Sequence, residues 1–279
     1  MKKIIFAVII FSVISTSNVK CMGSLTDETI SKILNLVTIN KNISFRDNLD
    51  NILETRELLI SGIRKKYKSD IINKIEINID NKLSKLLADN YDKKTLNEYF
   101  IKAPHLFSGK ATPVLIIAKL LFRAGADLEA RDDQGLTSLL MASQYGNVDI
   151  LKFLIQVGAD IQAKDLDGYT ALMFAIFAPP SDRDEAIKLL VDKGVNINAK
   201  NKDGNTALML ASEGCFINIV KLLITSGADI NIKNNKNDTA LSLVEDSIAN
   251  STERRASICK EILDLLKEEK IKQQQKTIR

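Results

Sequence analysis

A phrase of eight residues recurs along this chain. It reads Gly135-Leu136-Thr137-Ser138-Leu139-Leu140-Met141-Ala142, then Gly168-Tyr169-Thr170-Ala171-Leu172-Met173-Phe174-Ala175, then Gly204-Asn205-Thr206-Ala207-Leu208-Met209-Leu210-Ala211. A shorter phrase keeps step with it: Gly125-Ala126-Asp127, Gly158-Ala159-Asp160, Gly194-Val195-Asn196 and Gly227-Ala228-Asp229. Successive copies of both lie 33 or 36 residues apart. Two phrases in register at such a period call for stacked supersecondary units rather than one closed globule.

Each unit can be read locally. Glycine at 135, 168 and 204 follows a polar turn, where a positive φ is often needed. Two residues on, Thr137, Thr170 and Thr206 stand where a hydroxyl can cap a helix. The helix that follows is short and apolar, with the pairs Leu139/Ala142, Leu172/Ala175 and Leu208/Ala211 on one face. Second helices are predicted around Ile150–Leu154, Ala186–Leu190 and Ile219–Leu223. The glycine of the shorter phrase then ends each one at the C′ position.

These motifs resemble the ankyrin repeat, a β-turn plus two helices with a T-P-L-H-x-A signature. The resemblance implies an all-α fold, an ankyrin-repeat solenoid with β-hairpin loops, preceded by a small helical region. Units are expected at 102–134, 135–167, 168–203 and 204–236, with a degraded one at 237–266. The first unit is read through Pro104-His105-Leu106. The signature proline is replaced by Ser138, Ala171 and Ala207, and the signature histidine by Leu140, Met173 and Met209. In the family that histidine helps to bond neighbouring loops, so this array should lean more on apolar packing. A three-residue insertion lengthens the third unit around Pro179-Pro180-Ser181-Asp182, and Ser181 with Asp184 reads as a capping box. In the fourth unit Cys215 takes the usual place of the inter-helix glycine.

The N-terminus carries a separate signal. Lys2 and Lys3 precede an apolar run from Ile4 to Ile14, and small polar residues follow. That is the layout of a secretory signal peptide, expected over residues 1–21, with cleavage after Ser17 or between Lys20 and Gly23. The run is shorter than the roughly 20 apolar residues of a membrane span. A secreted or periplasmic protein is expected, with no membrane span after signal removal. The alternative is an anchor formed by uncleaved residues 4–14. The residues before Cys21 do not make a lipobox. Residues 24–101 show helical spacing, as in Ile30/Ile33/Leu34/Val37 and Leu49/Ile52/Leu53, and Ser44 with Asp47 reads as a capping box. A strand near Ile75–Ile79 is the competing reading of one alternating stretch. Residues 267–279 form a polar tail, expected as a frayed helix end or disorder.

Composition narrows the chemistry. A net charge of +4 is too mild to imply nucleic acid, and aromatic residues at 5% disfavour a base-stacking platform. The cysteines at 21, 215 and 259 have neither metal spacing nor a disulfide framework, and buried thiols are expected. His105 is the only histidine, so neither a metal cluster nor a catalytic triad is expected. Gly109-Lys110 lacks the other residues of a phosphate loop. No enzyme activity, cofactor or metal is expected. Glu54, Glu57 and Asp70 are the carboxylates to test if residues 24–100 hold an activity.

What remains is a binding surface. In ankyrin proteins partners meet the hairpin tips and the concave face of the first helices. Carried over by position, the candidates are Asp133, Gln134, Leu136, Gln144, Tyr145, Leu166, Asp167, Tyr169, Phe177, Lys202, Asn205 and Glu213. Arg131, Lys164, Lys200 and Lys233 place a basic residue at one position of four successive units. The column is either a positive ladder for an acidic partner or ordinary hairpin scaffolding. The expectation is a monomer that binds a protein partner, with a host protein as one candidate. The Ile/Asn/Lys-rich composition resembles that of an AT-rich bacterial genome.

Overall fold

The computed structural model describes residues 44–64, 69–106, 111–250 and 252–277. The expected signal peptide, Cys21 and the first N-terminal helix around Ile30–Val37 lie outside them. The described residues form twelve α-helices and no strands. The chain divides into two compact units, one of residues 1–100 and 110–127, the other of residues 101–109 and 128–279.

The first unit contains α1 (Phe45–Arg64), α2 (Ser69–Asn90), the start of α3 (Lys93–Leu106) and α4 (Ala111–Arg123). Ser44 starts α1: the Asp47 N–H donates to its Oγ at 3.1 Å, and the hydroxyl donates in turn to the Asp47 carboxylate. This is half of the expected capping box, since the carboxylate holds the hydroxyl rather than the Ser44 backbone. The alternating stretch Ile75–Ile79 is helical, within α2. Leu49, Ile52, Ile79, Leu83, Leu87, Phe100 and Leu121 are buried together as α1, α2 and α4 pack. The Phe45 ring closes one end against Tyr91 and Tyr99, at 4.4 and 4.2 Å between centroids.

Pro104-His105-Leu106 does not begin a helix. It stands in the last turn of α3, which begins eleven residues earlier at Lys93. Asp92 sets that start, accepting the Thr95 N–H at 2.8 Å. The apparent signature of the first repeat is therefore out of register with the later repeats.

The second unit holds the regular pairs: α5 (Ser138–Gln144) with α6 (Val148–Gln156), α7 (Ala171–Ile176) with α8 (Pro180–Asp192), and α9 (Ala207–Glu213) with α10 (Ile217–Thr225). They are followed by α11 (Ala240–Ala249) and α12 (Glu253–Thr277). The first helices pack in series, α5 on α7, α7 on α9, α9 on α11. Thr137, Thr170 and Thr206 each accept a backbone N–H three residues on, and Thr239 repeats the cap on α11 within a full capping box. The predicted pairs Leu139/Ala142, Leu172/Ala175 and Leu208/Ala211 are buried, as are Leu140, Met173 and Met209 in the signature-histidine position. Apolar packing has replaced the polar link there.

Ser181 and Asp184 do not form the expected capping box. Pro180 is already the first residue of α8, preset by its fixed φ, and the Asp182 and Arg183 N–H groups bond to the Pro179 carbonyl. The inserted turn also aims Arg183 over the Phe216 ring, 4.4 Å from its centroid. The C-terminal residues do not fray at 267: α12 continues through Thr277.

Cys215 and Cys259 form a disulfide, against the expectation of free thiols. It joins the α9–α10 turn to α12 across a sequence separation of 44. Cys215 adopts φ +57, where the second repeat uses Gly146 at φ +67. A side chain therefore occupies a left-handed position that favours glycine.

Candidate functional site

The hairpins are built by Asx turns. Asp132 Oδ1 accepts the Gln134 and Leu136 N–H groups, Asp165 Oδ1 those of Asp167 and Tyr169, and Asn234 Oδ1 those of Lys236 and Asp238. One backbone bond then links each tip to the next: Leu166 N–H to Gln134 O, Lys202 N–H to Asp167 O, Asn235 N–H to Asp203 O, at 2.9–3.0 Å. This approach needs bare glycine backbone. A Cβ on Gly204, at φ +79, would lie 2.8 Å from Asn235 N. Gly204→Ala is expected to cost about 2 kcal/mol or more, from the left-handed backbone and the clash. An unchanged denaturant midpoint would show that the hairpin stack contributes little to stability.

A second link explains the basic column. Lys164 Nζ donates to Lys200 O and Lys200 Nζ to Lys233 O, each at 2.8 Å. Arg131 Nη1 donates to Gly135 O and to Lys164 O. The cations are committed to carbonyls one unit on, which favours the scaffold reading over a free positive ladder. A third series uses amide and carboxylate oxygens: Glu129 accepts the Asp160 N–H, Gln162 that of Asn196, and Asn198 that of Asp229, at 2.8–3.0 Å. Together these series bond each hairpin to the next.

The candidate residues separate on this frame. Asp133, Gln134, Leu166, Asp167 and Lys202 are exposed along the row of tips. Leu136 is only 5% exposed, inside its own hairpin, and is withdrawn from the contact set. Asn205 is half-buried and accepts from the Asn234 amide. Gln144 is half-buried at the end of α5. The Tyr145 ring lies 4.9 Å from His105, and the Tyr169 ring 5.6 Å from Phe174, so both are partly engaged within the unit. Glu213 has an exposed side chain, but its carbonyl accepts from Ser247 and Arg255. Phe177 ends α7 with 54% of its surface exposed, and Leu166 is 60% exposed. Asn235 and Lys236 extend the row of tips and were missed, although Asn235 stands 33 residues after Lys202.

Among the described residues, no group of three His, Cys, Asp or Glu side chains could hold a metal. Glu54 and Glu57 are exposed, and Glu57 pairs with Arg56 at 3.0 Å. The side chain of Asp70 lies outside the described residues. No described helix is long and apolar enough to cross a membrane.

Helix pairs stacked at a fixed period, with their hairpins bonded tip to tip, define a helical repeat solenoid. Residues 111–201 and 178–234 each match the family model described as ankyrin repeats (3 copies). This stretch of the chain therefore consists of ankyrin repeats, modules that generally bind other proteins and are generally not catalytic. A search of curated proteins found no significant match.

Proposed function

We propose that this is an exported, non-catalytic, monomeric binding protein that engages a protein partner through its hairpin tips and the adjoining ends of its first helices. The observation that carries this reading is the exposure of Leu166 and Phe177 on the third unit, whose hairpin is fixed by backbone bonds to both neighbours. Large apolar groups held on a preorganised frame supply binding energy at low entropic cost. The exposed polar groups along the row of tips are of mixed sign, Asp133, Asp167, Lys202 and Lys236, which suits a protein surface better than a polyanion.

Export is supported by the basic and apolar N-terminal pattern and by the Cys215–Cys259 bond, since disulfides persist in oxidising compartments. N-terminal sequencing of the mature protein tests it. A first residue between 18 and 23 agrees with a secreted or periplasmic protein, whereas an intact Met1 means an anchored one.

Capture of the partner from the native source, followed by titration, tests the surface. Changing Leu166 and Phe177 together to serine is expected to weaken binding about 30-fold, equivalent to about 2 kcal/mol. Full retention by a folded variant would place the interface elsewhere. A bacterial host-directed role is the corresponding proposal for the partner's origin, and the identity of the captured protein decides it.

A further inference from the structure

The basic column ends at Lys233. Lys164 and Lys200 each donate to the carbonyl of the next residue in the column, and Lys233 has no following column residue. Among the described residues its ammonium makes no hydrogen bond or ion pair. A cavity of about 210 Å³ opens beside it, between the last hairpin and α12. Ile230, Leu241 and Leu266 line it with apolar surface, and Lys270 of α12 adds a second ammonium.

No carboxylate lines this cavity. Of the acidic groups adjacent in sequence to its lining residues, Asp229 accepts the Asn231 N–H, Asp238 accepts from the Asn234 amide and Glu269 from the Gln273 amide. Two cations without an internal counter-ion, set at the rim of an apolar hollow, match a ligand with one anionic end and a compact apolar body. The volume equals that of about seven waters, so the ligand is small.

We propose that this cavity binds a small carboxylate with an apolar body, its anionic end between Lys233 and Lys270 and its body against Ile230, Leu241 and Leu266. The site is distinct from the tip row and does not depend on the protein-binding reading. A short fatty acid and the C-terminal carboxylate of a peptide ending in an aliphatic residue share this chemistry.

The test is calorimetric titration of the full chain with hexanoate, N-acetylleucine and hexan-1-ol. Saturable binding of at least one acid is expected, at least tenfold tighter than the alcohol, and the tighter acid identifies the source. Lys233→Gln with Lys270→Gln should weaken it at least tenfold, while Lys236→Gln on the neighbouring tip should not. The Lys233 side chain takes no part in the inter-unit bonds, so Lys233→Gln alone serves if the double variant unfolds, and it too should weaken the acid. No saturation by either acid, equal binding of the alcohol, or affinity unmoved by the lysine changes would overturn the proposal.

Discussion

Changing Cys215 and Cys259 together to serine should destabilise the repeat region by about 4 kcal/mol. The figure follows from loop closure: a cross-link over a separation of 44 removes that much entropy from the unfolded chain. The bond matters more here than in a closed globule. A terminal unit has a neighbour on one side only, so its stability depends on what covers it. α12 covers α10 and α11, and Cys259, Ile262 and Leu266 on its inner face are buried. Oxidised and reduced protein, unfolded in denaturant, give the measurement. Hydrogen exchange should place the earliest loss of protection in α11 and α12. An identical midpoint with and without reductant would sink the argument. A comparison separates the bond from its backbone: Cys215→Gly with Cys259→Ser should be more stable than the double serine variant by roughly 0.5–1 kcal/mol, because glycine relieves the φ of +57.

Asp80→Ala should cost about 3 kcal/mol in the first unit. The Arg56 side chain is only 8% exposed, and its guanidinium grips the Asp80 carboxylate through two bonds, Nε at 2.6 Å and Nη2 at 3.1 Å. Arg123 stands 3.5 Å from the same carboxylate. Burial works against the charge on Arg56. The hydrogen bonds and charge of Asp80 outweigh it, with help from Glu57 and Glu76, and hold the proton more tightly than on an ordinary arginine. Removing the carboxylate strands a buried cation, the circumstance in which breaking an ion pair costs about 3–5 kcal/mol. Glu57, exposed but adjacent, keeps the loss toward the lower end. Replacing both partners, Arg56→Met with Asp80→Leu, should restore most of the stability, since no charge is then left buried. If the single change shifted the unfolding midpoint no more than the double one, the pair would not be coupled in this way.

The Asp80 cluster also bears on whether residues 24–100 hold an activity. Its carboxylate lies between two arginines, within ion-pair reach of both, and that arrangement joins α2 to α1 and α4. Glu54 and Glu57 project from the outer side of α1.

Much of the second unit was legible without coordinates, because its decisive interactions are local. A threonine cap reaches three residues, an Asx turn two to four, and a C′ glycine ends a helix by its own φ. Three copies at 33 or 36 residues check one another, so Leu172/Ala175 confirms what Leu139/Ala142 suggests. Where only one copy exists the reading slipped. The degraded first repeat was read through Pro104-His105-Leu106, which is a helix end, because the stronger local signal is the Asp92 cap further back. The Ser181–Asp184 box failed because Pro180 starts the helix first.

By itself the sequence determined the period of the array, the threonine caps that start the first helices, the glycines that end the second ones and which side of each helix is apolar. All of these follow from contacts spanning a few residues. Only the tertiary structure decided that Arg131, Lys164 and Lys200 serve as inter-unit links, that Cys215 meets Cys259, that Arg56 meets Asp80, and that Lys233 is left beside an open cavity. Each of these depends on which backbone or side chain another part of the fold brings alongside. Residues 24, 33, 36 or 44 apart carry no local mark of the partner they will find.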